Sequence, residues 1–210
     1  MPKMRIEGIE NKLLMLSSER SRGELHQYVV VDLIATGLDP QIDHLVEVAA
    51  IRYKNGEVLE KFVTLVDPRV AFTAQVVLQN GIREVEVRHA PPIDVIMPQL
   101  VAFIGNDVVI GHNTSLDVAF IKRFAHKQKL SFPNCYSDTF HLAYRITLTE
   151  KNKRMKELID YLSISNSKKH RAYENAIRCA ELLKLCFQEL RQEKELSKAK
   201  HRGEYVIKSS

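Results

Sequence analysis

A nearly continuous apolar run spans residues 28–34, and Asp32 is the one acid within it. Such a run is typical of a central strand that is covered on both faces. Two more apolar runs, Leu45–Tyr53 and Val58–Val66, follow it closely along the chain. They are separated by a turn containing Asn55-Gly56, which suits the positive backbone angles of a type I′ turn. We therefore predict an antiparallel hairpin beside the first strand.

Helical spacing dominates the rest of the chain. Ala90-Pro91-Pro92 precedes a predicted helix from about Ile93 to Ile104, and a short strand is predicted at Val108–Gly111. A helix beginning near Thr114 is expected to place an apolar residue on one face at every fourth position. That face carries Leu116, Phe120 and Phe124. Further helices are predicted at Thr139–Arg145, at Arg154–Leu162 and from Ala172 past Leu190. The last of these has a predicted inner stripe of Ala176, Ala180, Leu183 and Phe187.

This order of elements predicts an α/β domain in which α-helices flank a mixed β-sheet. The expected divisions are an N-terminal arm at 1–27, one domain at 28–190 and a charged C-terminal tail at 191–210. Sites in such sheets tend to lie at the carboxyl ends of strands. Asp32 lies near such an end, and Asp117 lies in the first turn of the helix after another.

Composition narrows the classes of protein. No apolar run approaches the roughly 20 residues that cross a bilayer, and no leader peptide is visible, so we expect a cytoplasmic protein without membrane contact. Cys135, Cys179 and Cys186 are odd in number and not closely paired, which argues against a disulfide framework or a zinc site. We predict that all three are small core residues.

Positive charge is concentrated in one segment. The chain has a formal net charge of +5, and residues 151–171 contain seven Lys or Arg against Glu157 and Asp160. A polyanionic partner would fit this balance. The alternative is a solvated helix face followed by a loop.

Three motifs carry a more specific signal. Residues 29–40 include Asp32-Leu33-Ile34-Ala35-Thr36-Gly37, residues 111–117 read Gly-His-Asn-Thr-Ser-Leu-Asp, and residues 169–176 read Lys-His-Arg-Ala-Tyr-Glu-Asn-Ala. In this order they resemble the motifs of the DnaQ-like (DEDDh) 3′–5′ exonucleases, the family of the DNA polymerase III epsilon-type domain. The resemblance implies a ribonuclease H-like mixed β-sheet of about five strands.

The resemblance also implies a chemistry. In this family, two Mg²⁺ ions held by four carboxylates activate water for phosphodiester cleavage, and a histidine acts as general base. The matching positions are Asp32 and Asp117 for the metal and His170 for the base, all three being catalytic candidates. Candidate nucleic-acid contacts are Thr36, Gly37, Asn113, Lys168, Lys169 and Arg171, whereas His112 is interpreted as a loop residue.

Two expected metal ligands are replaced. Ile34 occupies the place of the second acid of the first motif, and Asn175 that of the last acid. Because alternate residues of a strand share a face, Ile34 should point where Asp32 points, yet it cannot bind metal. Glu47 or Asp43 could compensate, and Glu174 should miss the cleft. We expect weakened binding of Mg²⁺ or Mn²⁺.

Two functions follow from these residues. The first is a nucleic-acid-binding protein, catalytically impaired or inactive, that takes single-stranded DNA or RNA 3′ ends. The second is an active metal-dependent 3′–5′ exonuclease. A polymerase or another protein is a further candidate partner. The replacements could also have been engineered to trap substrate, although Glu to Ile is an unusual choice for that purpose and favours natural divergence.

Overall fold

The computed structural model describes residues 26–71, 77–78, 80–146, 157, 159–160 and 171–201. Its centre is a five-stranded mixed sheet in the order β3-β2-β1-β4-β5. β1 pairs antiparallel with β2 and parallel with β4, and β4 pairs parallel with β5. The strands are β1 (Gln27–Ala35), β2 (Leu45–Lys54), β3 (Glu57–Leu65), β4 (Val108–Gly111) and β5 (Tyr136–Asp138).

The predicted hairpin and central strand are confirmed. Asn55 and Gly56 have φ values of 53° and 83° between β2 and β3, as a type I′ turn requires. β1 is covered on both faces, with Val29 and Val31 in one apolar cluster and Val30 in the other. This double coverage explains why its sequence is apolar almost throughout.

Helices cover both faces of the sheet. Apolar residues of α2 and α3 pack on one face, and the inner side of the long C-terminal helix α5 packs on the other. The helices are α1 (Glu84–Val87), α2 (Ile93–Ile104), α3 (Thr114–Lys127), α4 (Thr139–Ile146) and α5 (Ala172–His201).

The predicted apolar stripes of α3 and α5 are both confirmed. Phe120 and Phe124 are buried and Leu116 packs against them, while Ala176 and Leu183 line the opposite core. α5 continues to His201, well into the segment assigned to the tail, so the domain boundary at residue 190 stays a prediction. No helix among the described residues is both long enough and apolar enough to span a membrane.

The expectation that all three cysteines are core residues is wrong for one of them. Cys179 and Cys186 are buried, but Cys135 is exposed. It lies in the irregular segment before β5, in which buried and exposed residues are mixed. The helix predicted at Arg154–Leu162 falls mostly outside the described residues, although 157, 159 and 160 are helical.

Candidate functional site

The carboxyl ends of three parallel strands meet at one edge of the sheet. β1 ends just after Asp32, β4 leads into α3, and β5 ends at Asp138. The Asp138 carboxylate accepts hydrogen bonds from the backbone N–H groups of Asn113 (3.0 Å) and Thr114 (3.1 Å). It thereby satisfies free donors at the start of α3 and orients the helix that carries Asp117.

Asp32 and Asp117 are brought together at this edge. Asp117 is 8% exposed, and the backbone N–H of Leu33, beside Asp32, donates a hydrogen bond to its carboxylate. Burial raises the pKa of Asp32 to about 8, and burial followed by repulsion from Asp32 raises the pKa of Asp117 well above its ordinary value. Both shifts disfavour the charged forms, as expected when two neighbouring acids are held away from water.

The two replaced positions complete the walls of the same cleft. Ile34 is 8% exposed and packs in the apolar cluster beneath α5. Nδ2 of Asn175, on α5, donates a hydrogen bond of 3.2 Å to Oδ2 of Asp32. A hydrocarbon and an amide donor therefore stand beside Asp32 where further oxygen ligands would be needed for two metal ions.

Glu47 is held by the start of α5 rather than left open to the cleft. Its carboxylate accepts hydrogen bonds from Nε (3.0 Å) and Nη2 (2.6 Å) of Arg171 and from the backbone N–H of Ala172 (2.9 Å). The Glu47 side chain is 3% exposed and that of Arg171 is 38% exposed, so the pair is buried on the carboxylate side only. The paired geometry counts against Glu47 as a replacement metal ligand. Glu174 was expected to miss the cleft, and its side chain is exposed.

The loop after β1 is organised internally. Thr36 Oγ1 donates to Asp43 Oδ1 at 2.9 Å, and the Asp39 backbone N–H donates to Asp43 Oδ2 at 2.9 Å. An added Cβ at Gly37 would lie 2.4 Å from the Asp43 carboxylate, so a larger residue here would have to displace that carboxylate from its bonds to Thr36 and Asp39. Asp43 therefore shapes the rim of the cleft and, like Glu47, is committed to other partners.

Residues 29–201 match the family described as Exonuclease, of RNase T type. The chain belongs to this exonuclease family.

Relatives within the exonuclease family include polymerase components. The chain is 32% identical over 181 residues to the DNA polymerase III PolC-type protein of Clostridium perfringens, covering 86% of this chain and 12% of that protein. It is 29% identical over 164 residues to the DNA polymerase III subunit epsilon of Aquifex aeolicus, covering 78% of this chain and 81% of that subunit. The chain thus spans about an eighth of the length of this PolC-type relative and most of the length of the epsilon subunit.

Solved structures confirm the ribonuclease H-like α/β fold. E. coli exonuclease I in complex with a dA16 oligonucleotide has a TM-score of 0.66 to this chain at 17% identity, covering 80% of this chain and 42% of that one. The product-bound structure of exonuclease I has a TM-score of 0.63 at 16% identity, with coverages of 80% and 46%.

The exonuclease motifs are only partly visible at the site. Asp32, Asp117, Ile34 and Asn175 converge on one cleft, whereas His170, Lys168 and Lys169 lie outside the described residues. His112 is buried, with Nδ1 3.1 Å from Thr139 Oγ1, and burial lowers its pKa, in agreement with a structural role in the loop.

Sequence reasoning did not foresee the pairing of Glu47 with Arg171. Arg171 was expected to face nucleic acid, yet two of its nitrogen atoms contact Glu47. A lone acid in the apolar strand Leu45–Lys54 was a usable signal, because a buried carboxylate needs a partner. The identity of that partner could not be predicted, because Arg171 lies 124 positions away along the chain.

Proposed function

We propose that this exonuclease-family chain binds the 3′ end of single-stranded DNA or RNA beside Asp32 and Asp117, and that its catalysis is impaired or absent. The observation that carries this proposal is the hydrogen bond from Asn175 to Asp32, with Ile34 on the same wall. An amide donor and a hydrocarbon take the places that the resemblance assigns to two carboxylates. They leave only Asp32 and Asp117 of the expected ligand set.

The residues at the site do not fit a pair of divalent cations. Magnesium prefers oxygen ligands, especially carboxylates, and a two-ion site must offset the repulsion between two close cations. Within the described part of the chain, no group of three or more His, Cys, Asp or Glu residues could hold a metal ion. We therefore expect Mg²⁺ or Mn²⁺ to bind weakly.

Nucleic-acid binding does not require the missing carboxylates. Loss of two negative charges, together with the raised pKa values of Asp32 and Asp117, reduces repulsion of a phosphate backbone. The net charge of +5 favours the same partner. Proposed contacts are Thr36, Gly37, Asn113, Lys168 and Lys169, whereas Arg171 is engaged by Glu47.

A binding experiment without metal tests the first half of the proposal. Fluorescence anisotropy of labelled oligothymidylate should show binding at low salt in the presence of a chelator. The affinity should fall steeply as salt rises, because bound phosphates release counterions. Absence of binding at low salt, or binding insensitive to salt, would contradict the proposal and favour a protein-interaction role.

A restoration experiment tests the second half. The chain as given and the double variant Ile34→Glu/Asn175→Asp are compared for nucleotide release from a 3′-labelled oligonucleotide with Mg²⁺ and with Mn²⁺. We expect release only by the double variant, and none by the conservative control Ile34→Leu/Asn175→Gln. Release by the unaltered chain would show that catalysis is not lost.

An active metal-dependent 3′–5′ exonuclease is the second candidate. It is favoured by the family assignment and by the retained proximity of Asp32 and Asp117, with His170 as the proposed general base. The PolC-type and epsilon relatives suggest a polymerase as a partner in that case. This candidate requires Mn²⁺-dependent release of mononucleotides that Asp32→Ala abolishes.

A further inference from the structure

The second half of α3 and the loop after it form a basic surface with no acid. Between Asp117 and Asp138 the sequence contains no Asp or Glu, but it has Lys122, Arg123 and Lys127 followed by Lys129. This short segment therefore carries four positive charges, while the net charge of the whole chain is +5. The helix dipole accounts for a cation in the last turn, such as Lys127, but not for Lys122 a turn earlier or Lys129 beyond the helix.

These side chains border an open groove between α3 and the loop after β1. The groove has a volume of about 630 Å³ and is lined by Gln41, Lys122, Arg123, His126 and Lys127 together with four apolar residues. Lys129 borders an adjoining depression that shares His126 and Lys127. We call this surface, with Lys129 included, the α3 groove.

The cations of the α3 groove have no carboxylate partner among the described residues. Arg123 donates to the backbone carbonyl of Asp43, which fixes the guanidinium without neutralising it. Elsewhere in the structure, arginines form ion pairs with acids. These paired residues are Arg52, Arg69, Arg83, Arg88 and Arg171.

The groove and the cleft share two elements, α3 and the loop after β1. α3 carries Asp117 in its first turn and Lys127 at its end, ten residues and therefore about 15 Å farther along the helix. Gln41 belongs to the loop that also contains Thr36 and Gly37 at the cleft rim. A strand leaving the cleft along this loop would pass the cations several nucleotides from its 3′ end.

We propose that the α3 groove binds the phosphodiester backbone of single-stranded nucleic acid, several nucleotides upstream of a 3′ end held in the cleft. This inference rests on the proposed function and adds a second contact region to it. A basic groove that follows the backbone is a common way to bind single strands without sequence preference. Binding there should therefore depend on the length of the strand and on salt.

Charge reversal in the groove, with a matched control, tests this. The test variant is Lys122→Glu/Lys127→Glu, and Lys122→Gln/Lys127→Gln is a milder second version. The control Lys54→Glu/Lys184→Glu changes the net charge equally at exposed positions. Lys54 lies opposite Gln27, at the end of β1 far from the cleft, and Lys184 lies on α5, on the other face of the sheet. Thermal unfolding checks that each variant is folded.

Affinities are measured by anisotropy for oligothymidylates of about 4 and about 16 nucleotides, the range of common single-strand sites. For the long strand, the groove reversal should weaken binding at low salt by roughly tenfold and reduce the slope of log affinity against log salt by about 1.4, since each phosphate contact contributes about 0.7. The short strand should bind all variants alike, and the control should match the unaltered chain.

The outcomes separate this inference from the function on which it rests. Equal weakening for both lengths, equal weakening by the control, or no weakening would overturn the α3 groove while leaving binding at the cleft intact. Failure of the unaltered chain to bind either strand would overturn both proposals.

Discussion

The Asn175 amide donates a hydrogen bond of 3.2 Å to the carboxylate of Asp32. This contact lowers the pKa of Asp32, but burial acts more strongly in the opposite direction and the result is a pKa of about 8. The amide donor thus offsets part of the cost of burying the Asp32 carboxylate. In a metal site, a bound cation would stabilise that carboxylate instead. Asn175 suits a cleft without bound metal.

Asn175→Asp should therefore create a dependence on divalent cations. Without metal, the variant places a third acid beside Asp32 and Asp117 and removes the donor, so its unfolding temperature should be lower than that of the unaltered chain. Added Mn²⁺ should raise the unfolding temperature of the variant, because a ligand that binds only the folded state stabilises it. Thermal shift measurements check both effects.

Asn175→Gln is the matched control, since it alters the side chain without adding charge. It should show no stabilisation by Mn²⁺. An equal Mn²⁺ response of the unaltered chain would mean that the present ligands already hold the ion.

The buried acids should also make stability depend on pH. Asp32 has a folded pKa of about 8, raised from an ordinary value near 3.8. An acid whose pKa is raised by folding stabilises fully below its unfolded pKa, and that contribution is lost as pH rises through the folded value. The pH window for Asp32 therefore runs from about 4 to about 8, and the raised pKa of Asp117 acts in the same direction.

Asp32→Asn removes this titration while keeping an oxygen that can accept from Asn175. At about pH 8, Asp32→Asn should increase the free energy of unfolding by about 1 to 3 kcal/mol, because each unit by which folding raises the pKa corresponds to about 1.4 kcal/mol. Near pH 4.5 the increase should be much smaller. Urea unfolding across this range measures the difference. Glu57→Gln, at an exposed strand position, should be neutral throughout. An Asp32→Asn effect independent of pH would exclude the raised pKa as its cause.

The Glu47–Arg171 pair should contribute to stability by fixing the start of α5. Arg171→Ala leaves a carboxylate that is 3% exposed with the Ala172 N–H as a remaining partner. Removing the partner of a buried charge is costly. Because Arg171 is 38% exposed, we expect a loss of about 2 to 3 kcal/mol, at or below the low end of the range for fully buried pairs.

A double-mutant cycle isolates the pair. Glu47→Gln keeps an acceptor for Ala172 and should cost less than Arg171→Ala. Combined with Arg171→Ala, it should recover part of the loss, giving a coupling energy of about 1 kcal/mol or more in urea unfolding. Strict additivity of the two single effects would show that the contact contributes nothing of its own.

Local patterns explain what the sequence revealed of the fold. Asn55-Gly56 marked the hairpin, and the spacing of Phe120 and Phe124 marked the buried side of α3, because both depend on neighbouring residues. Cys135 escaped this reasoning, since a cysteine in an irregular segment has no periodic pattern to show its exposure.

The site was less predictable because its contacts join distant residues. The motifs located Asp32, Ile34, Asp117 and Asn175, but not the hydrogen bond by which the Asn175 amide donates to Asp32 across 143 positions. The α3 groove was also missed, although the acid-free segment between Asp117 and Asp138 was a signal.

His44 provides a probe of the electric field at the α3 groove. Its ring lies 6.3 Å from that of Phe124, and its pKa is lowered first by burial and then by the charges of Arg123 and Lys127, while Asp43 raises it. Lys127→Glu replaces a repulsive cation by an anion that favours the imidazolium, so the pKa of His44 should rise. An NMR pH titration of the His44 ring protons, assigned with a His44→Asn variant, measures this.

Salt distinguishes this field effect from a change in burial. High salt shortens the screening length to about 3 Å at 1 M, so it should raise the pKa of His44 in the unaltered chain by weakening repulsion from Arg123 and Lys127. In Lys127→Glu the same salt should have a smaller or opposite effect, and Lys54→Glu should behave like the unaltered chain. An unchanged His44 pKa in Lys127→Glu, with no salt response in either protein, would mean that the groove cations exert no appreciable field at the loop beside the cleft. Guidance of a strand by that field would then lose its physical basis.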